Sequence, residues 1–102
     1  TGLTGFMAGL ARDVAGKGVT INNLLPGQFA TDRIATMVGA EAKRLGISLE
    51  DSARQMAAAI PVGRLGDPAE FGEFCAFLCS RQAAFLVGQN ILLDGGKYPG
   101  TF

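Results

Sequence analysis

Two short strand-like segments, separated by a long helical stretch, constrain the fold of this chain more than any other feature of its sequence. VTINNLL at residues 19–25 is β-branched at its start and is followed by Pro26-Gly27, while QNILLD at residues 89–94 precedes Gly95-Gly96. Strands that alternate with helices pair in parallel. A parallel sheet needs several strands and cover on both faces. The sequence therefore predicts an α/β fold whose remaining strands lie in missing sequence or in another chain.

The first residues form an amphipathic helical pattern that also contains a glycine-rich stretch. Gly16 and Gly18 predict its end, and its apolar face is formed by Leu3, Phe6, Met7, Leu10, Ala11 and Val14. The opening TGLTGFMAGLA has glycines at 2, 5 and 9, which raises the alternative of a phosphate-binding loop. Neither the G-x-G-x-x-G nor the P-loop spacing fits, and no strand precedes the glycines in this sequence. We interpret them as small residues that allow a close approach to another helix.

Three further helices are predicted from their capping residues. Thr31 or Asp32 caps the second helix, which Gly46 ends, and Ser48 begins the third, which a proline ends. The fourth has the sharpest start, because DPAE at residues 67–70 supplies an N-cap, a proline at the first helical position and an acid at the third. The predicted order is therefore helix, strand, helices, strand.

Composition argues against several function classes. The chain has 9 basic and 9 acidic residues and no Lys/Arg run, so we predict no nucleic-acid partner. Its apolar runs are shorter than the about 20 residues that span a bilayer, so we predict no membrane partner. It has no histidine, which removes Ser-His-Asp catalysis and histidine metal ligation. Cys75 and Cys79 are too few for a zinc site, and we predict that they are buried apolar groups in a reducing, cytoplasmic setting.

Two stretches resemble the short-chain dehydrogenase/reductase family. They are GVTINNLLPGQFATD at residues 18–32 and IPVGRLGDPAEFGEFCAFLCSRQAAFLVGQNILLDGG at residues 60–96, so the resemblance covers nearly the whole chain. The shared pattern is Pro-Gly after a strand with a threonine four residues beyond the glycine, then Ile-Pro-x-Gly-Arg-x-Gly-x-Pro-x-Glu, then Gly-Gln leading to Asp-Gly-Gly. The matching residues are Pro26, Gly27, Thr31, Ile60, Pro61, Gly63, Arg64, Gly66, Pro68, Glu70, Gly88, Gln89, Asp94, Gly95 and Gly96.

The resemblance implies a fold and a domain organisation. Residues 1–102 look like the C-terminal part of one Rossmann-type domain with a doubly wound parallel sheet, similar to 3-oxoacyl-[acyl-carrier-protein] reductases. The family's cofactor loop, its catalytic serine and its Tyr-x-x-x-Lys motif have no counterpart here, since the one tyrosine, Tyr98, follows Lys97. We expect all of these upstream of Thr1, and we therefore assign no catalytic residue and no metal ligand in this chain.

The resemblance also implies an activity and a cofactor site. It predicts part of an oxidoreductase that uses NAD or NADP to transfer a hydride between nicotinamide and a small-molecule carbonyl or alcohol substrate, with a 3-ketoacyl compound as one candidate. The cofactor-binding residues it implies are Pro26, Gly27, Phe29 through its backbone and Thr31 through its hydroxyl. The alternative from local sequence alone is a plain strand-to-helix turn in which Thr31 is only an N-cap.

The remaining expectations concern partners and supporting residues. By resemblance, the helices over residues 34–60 cover the substrate cleft, and the first helix and the last helix and strand form contacts of a homodimer or homotetramer. A different possibility is a catalytically inactive fragment that serves as an oligomerisation or interaction module. Arg64, which lies between two glycines, needs an anion or a carbonyl cluster and is expected to be a structural anchor, with a substrate clamp as the alternative. Asp94 is expected to be a turn residue.

Overall fold

The computed structural model describes residues 2–100, and within them it contains four α-helices, a short 3₁₀ helix and two strands. Their order is helix, strand, three helices, strand, which confirms the predicted order and the α/β class. The elements are α1 at Gly2–Ala15, β1 at Asn23–Pro26, α2 at Asp32–Leu45, α3 at Leu49–Ala58, α4 at Pro68–Leu78, the 3₁₀ helix at Arg81–Ala83 and β2 at Asn90–Leu93.

The two strands pair in parallel, as the sequence predicts. Asn23 is opposite Asn90 and Pro26 is opposite Leu93, and the Asn23 side-chain amide donates to Asn90 Oδ1 at 2.8 Å. Both predicted limits of the strand at residues 19–25 are wrong, because β1 begins at Asn23 and ends at Pro26. Residues 19–22 lie outside β1. The Asn22 side chain instead bonds to the segment before β2, where it donates to Leu86 O and accepts from Gln89 N, both at 3.0 Å.

The sequence predicts that the first strand stops before Pro26, yet Pro26 is the last residue of β1. The N–H groups of Asn23 and Gly27 both donate toward β2, to Gln89 O at 2.8 Å and to Leu93 O at 2.7 Å. Because successive N–H groups of a strand point to opposite sides, the nitrogen of Pro26 faces away from β2. The missing N–H therefore costs no hydrogen bond of this strand pair.

The predicted helix caps are confirmed. Thr31 accepts from Ile34 N at 3.4 Å at the start of α2, and Gly46 ends that helix with a φ of 68°. Ser48 accepts from Asp51 N at 3.0 Å at the start of α3. Helices α2 and α3 pack on each other, and the Ser52 hydroxyl donates to Val38 O at 2.8 Å in the buried contact.

The core is small for a chain of this length. The buried apolar residues among those described are Ala11, Ile34, Val38, Ala42, Ile60 and Ala83. The radius of gyration is 17.1 Å, whereas a compact domain of this length has about 13 Å. The accessible surface is 7175 Å², compared with about 5,500 Å² expected from the mass. Much apolar surface is therefore left for contacts outside this chain.

Helices α1 and α4 both carry part of that uncovered surface. On α1, Leu3 is 72% and Phe6 65% exposed, and the three glycines of the opening stretch have no atom near them. The close helix contact predicted for these glycines is therefore not made within the chain. Cys75 and Cys79 are exposed free thiols. Their predicted burial is wrong, because only the Phe71 and Phe74 face of α4 turns toward the sheet.

Candidate functional site

The loop that follows β1 begins in very close contact with the end of β2. Gly27 donates to Leu93 O at 2.7 Å, and a Cβ added to Gly27 would lie 2.6 Å from the Asp94 Cα. Only a residue without a side chain fits this approach of two main chains. The loop thus leaves the carboxyl end of a parallel strand, which is where open α/β sheets bind their ligands.

A single residue in the segment before α4, Gly66, forms backbone hydrogen bonds to the loop on both sides of Phe29. Gly66 N donates to Gln28 O at 2.9 Å, and Ala30 N donates to Gly66 O at 2.8 Å. Because both flanking groups face Gly66, the Phe29 peptide turns its own N–H the other way. Within the described part of the chain that N–H has no acceptor, while the Phe29 carbonyl accepts from Thr31 N at 2.8 Å. One oriented donor is therefore available to a ligand.

The Phe29 ring packs into the protein behind this donor. It lies against Gly66, where an added Cβ would come within 2.6 Å of two ring carbons. It also meets the Phe71 ring edge to face, with centroids 5.5 Å apart and an interplanar angle of 81°. Such aromatic pairs contribute about 0.5–1.5 kcal/mol beyond the area they bury. The side chain thus anchors the loop, while the Phe29 N–H points away from Gly66.

Thr31 lies at the junction of the loop and α2. Its hydroxyl oxygen accepts from Ile34 N, so the N-cap alternative is confirmed as a structural role. The hydroxyl hydrogen is not used by this bond, and Thr31 is exposed. A threonine hydroxyl can donate and accept at once. The N-cap role and the predicted cofactor contact are therefore compatible.

Arg64 is an anchor, as expected from its position between glycines. Its guanidinium binds the Glu70 carboxylate through two bonds of 2.7 and 3.0 Å and also donates to Leu65 O at 3.1 Å. Glu70, the acid at the third position of the predicted helix start, in addition accepts from Asp67 N at 2.8 Å and completes a capping box of α4. The Arg64 hydrogen bonds, and then that of the Asp67 amide, lower the pKa of Glu70 to about 2. The carboxylate is therefore ionised at every physiological pH.

The turn after β2 supports the loop from its other side. Asp94 accepts from Gly96 N at 2.9 Å and from Tyr98 N at 2.7 Å, which confirms its predicted role as a turn residue. Lys97 Nζ then reaches Gln28 Oε1 at 3.2 Å. Gly66 and Asp94 match the family pattern, but the sequence predicts no contact of either residue with the loop. Nothing local signals these contacts, because each joins segments far apart in the chain.

Two cavities flank the loop. One of about 380 Å³ lies between α4 and the end of β2 and includes Phe29, Arg64 and Gly66 in its lining. Another of about 520 Å³ lies between α2 and α3 and includes Thr31, Ile34 and Val38. The second cavity is the one formed by the helices predicted to cover a substrate. Among residues 2–100, no group of three or more potential ligands is arranged to hold a metal ion, and no helix is long and apolar enough to cross a membrane.

Residues 1–97 match the family model described as enoyl-(acyl carrier protein) reductase. Among curated relatives, the chain is 38% identical over 99 residues to the acetoacetyl-CoA reductase of Cupriavidus necator, covering 97% of this chain and 36% of that protein. It is 37% identical over 97 residues to the 3-oxoacyl-[acyl-carrier-protein] reductase FabG of Escherichia coli, covering 95% of this chain and 35% of FabG. The chain thus spans about a third of the length of these relatives.

Solved structures of related proteins have the same fold as this chain. A short chain dehydrogenase family protein from Francisella tularensis superposes with a TM-score of 0.87 at 28% identity, covering 97% of this chain and 41% of that one. YwfH, an NADPH dependent reductase involved in bacilysin biosynthesis, superposes with a TM-score of 0.85 at 31% identity, covering 98% and 38%. The family-model match over nearly all residues and these superpositions show that this chain belongs to the short-chain dehydrogenase/reductase family.

Proposed function

We propose that residues 1–102 supply the nicotinamide-side part of an NAD(P)-dependent reductase of 3-oxoacyl-type carbonyl substrates. The Phe29 N–H, which follows the carboxyl end of β1 and has no acceptor among the described residues, carries this proposal, because it is an oriented donor beside two cavities. The relatives named acetoacetyl-CoA reductase and 3-oxoacyl-[acyl-carrier-protein] reductase support the substrate class. The relative named as an NADPH dependent reductase supports the cofactor class.

The loop's chemistry fits a nicotinamide carboxamide. The Phe29 N–H would donate to the carboxamide oxygen, and the Thr31 hydroxyl would provide a second polar contact close to it. Gly27 lets the start of the loop lie directly against the end of β2, and Pro26 has no N–H of its own to satisfy. Each such hydrogen bond contributes about 0.5–1.5 kcal/mol. These residues orient the ring and do not themselves transfer the hydride or the proton.

This loop would hold the reduced nicotinamide, which when bound would supply the hydride for the carbonyl carbon, and the carbonyl oxygen would take up a proton to give the alcohol. None of the 102 residues matches the family's catalytic serine or Tyr-x-x-x-Lys. The proposal therefore assigns the proton donor and the loop that binds the phosphates to polypeptide outside residues 1–102. It treats this chain as the C-terminal part of one Rossmann-type domain, because two strands alone leave a parallel sheet unfinished.

The uncovered face of α1 supports a homodimer or homotetramer in the assembled protein. Leu3, Phe6 and Leu10 lie on one helical face and are 72%, 65% and 37% exposed. An isolated helix does not keep such a face in water without a packing partner. The two free cysteines support the predicted reducing, cytoplasmic setting.

The same exposed surface also favours the second candidate, an inactive oligomerisation or interaction module. The two candidates differ in one observable property. The reductase oxidises NADPH or NADH when given a 3-oxoacyl thioester, and the interaction module does not.

The test is to purify the protein that contains this chain, measure its intact mass, and follow reduced-nicotinamide absorbance with acetoacetyl-CoA. Both NADPH and NADH are supplied in parallel. A mass well above that of these 102 residues together with substrate-dependent oxidation supports the reductase. Absence of substrate-dependent oxidation of both NADPH and NADH overturns it and favours the interaction module. The Thr31→Val variant is the internal control, because it removes a proposed cofactor contact and leaves the chain's length and charge unchanged.

A further inference from the structure

The segment that holds the candidate cofactor loop is itself fixed by a network of hydrogen bonds at the start of α4. Arg64 binds both oxygens of Glu70, and Glu70 Oε1 also accepts from Asp67 N. We call these three residues the Arg64 network. Both ends of the segment 64–67 are thus bound to the same carboxylate. Gly66 lies between those ends.

Gly66 connects the segment fixed by Glu70 to the loop. Its N–H and its carbonyl bond to Gln28 and Ala30, the two neighbours of Phe29. The bridge is a pair of backbone bonds of 2.9 and 2.8 Å, so a displacement of Gly66 moves the Phe29 peptide with it. The Phe29 ring rests on the same glycine, and ring and backbone are therefore aligned by one residue.

We propose that Arg64 is a positioning residue that sets the direction of the Phe29 N–H, acting through Glu70 and the Gly66 bridge. The inference rests on the proposed function for the identity of the ligand, a nicotinamide carboxamide. Among the described residues, the hydrogen bonds of the Arg64 side chain go to Glu70 and Leu65 and not to the loop itself. Its effect is preorganisation, since a donor already held in its binding direction loses less freedom when the ligand binds.

Because the network is exposed, a role in positioning the Phe29 peptide can be separated by experiment from a role in overall stability. The Arg64 side chain is 58% and the Glu70 side chain 48% exposed, and ion pairs as exposed as this add little to overall stability. Removal of Arg64 should therefore leave unfolding nearly unchanged. The change is expected instead at the Phe29 peptide and in the ligand it binds.

The experiment compares Arg64→Met with Arg44→Met in the protein that contains this chain. Arg44 also binds a carboxylate through two bonds, to Glu41 within α2, and is 66% exposed, but it does not contact the loop. Calorimetry gives the dissociation constants of NADPH and of its ADP-ribose phosphate portion, which lacks the nicotinamide ring. We expect Arg64→Met to weaken NADPH binding about twofold to tenfold, the equivalent of one hydrogen bond, and to leave the ring-less ligand unchanged. Arg44→Met should change neither.

Amide hydrogen exchange tests the same inference without a ligand. Exchange at Ala30 N and Gly66 N should accelerate in Arg64→Met and stay unchanged in Arg44→Met. Equal weakening of both ligands, weakening of neither, or unaltered exchange at these two amides would overturn the positioning role. If the unaltered protein binds no NADPH, it is the proposed function that fails, and the exchange measurement still decides whether Arg64 holds the loop.

Discussion

A single methyl group added at Gly27 should disrupt the junction of the two strands. An alanine Cβ there would lie 2.6 Å from the Asp94 Cα, 2.7 Å from the Asp94 Cβ and 3.2 Å from the Leu93 carbonyl oxygen. The nearest atom is backbone, which cannot rotate away as the end of a side chain can. Gly27 is not among the glycines with positive φ, so the alanine backbone itself is unstrained. The predicted cost is therefore purely steric.

The magnitude follows from the contacts that must yield. Overpacking a filled site typically costs about 1–3 kcal/mol. Separation of the chains also lengthens the 2.7 Å bond from Gly27 N to Leu93 O, which is worth about 0.5–1.5 kcal/mol. We expect Gly27→Ala to lower the free energy of unfolding by about 2–3 kcal/mol, from the overpacking and hydrogen-bond ranges together. It should also raise the KM for NADPH, because the loop moves with the strand end.

Urea unfolding of the protein that contains this chain measures this cost. With an m-value near 2 kcal/mol/M, the midpoint should fall by about 1 M. Gly72→Ala is the matched control, because Gly72 lies inside α4 with no atom near its added Cβ. The same substitution there should stabilise by about 0.5–1 kcal/mol. If Gly27→Ala left the free energy of unfolding within about 0.5 kcal/mol of the parent, the range of a surface change, the close approach of the two strand ends would be disproved.

Three further predictions concern the caps and the Arg64 network. Thr31→Val should lower the free energy of unfolding by about 1 kcal/mol through the lost N-cap and should also raise the KM for NADPH. Ser48→Ala is the control, with a similar loss of stability and an unchanged KM. Equal KM values in both variants would count against a ligand contact of Thr31. The pKa of Glu70, followed by NMR, should lie at about 2, below its ordinary value of 4.5, so the small contribution of this exposed ion pair to stability is present above pH 4.5 and is lost as the pH falls through about 2. In Arg64→Met the pKa of Glu70 should rise toward 4.5, and an unchanged pKa would show that Arg64 is not the main cause of the lowering. Asp67→Ala should cost about 1 kcal/mol of unfolding free energy by removing the cap of α4, and a neutral result would contradict the capping box.

The sequence predicts well those features whose cause is local. The N-caps at Thr31, Ser48 and Asp67 bond to amides within three residues, so residue type and spacing are enough to find them. The parallel pairing of the strands also follows from the order of elements. The strand limits do not, because only the register with β2 shows that Pro26 remains inside the ladder while residues 19–22 do not.

The support of the candidate site could not be derived from sequence patterns. The Gly66 bridge and the Asp94 contact join segments whose separation along the chain carries no periodic signal. The predicted burial of Cys75 and Cys79 failed for a related reason. An apolar helical pattern identifies a helix face that packs against a partner. It does not show whether that partner lies within this chain. Whether Pro26, Gly27, Phe29 and Thr31 contact a cofactor stays a prediction.

The orientation of the Phe29 N–H is the central claim, and its own amide resonance tests it most directly. Selective nitrogen labelling of phenylalanine gives one amide signal for each of the 7 phenylalanines in these residues, and a Phe29→Tyr variant identifies the signal of interest. NADPH should shift this resonance strongly, while the ADP-ribose phosphate portion without nicotinamide should leave it in place. No shift with NADPH, or the same shift with both ligands, would contradict the assignment of the loop to the nicotinamide carboxamide.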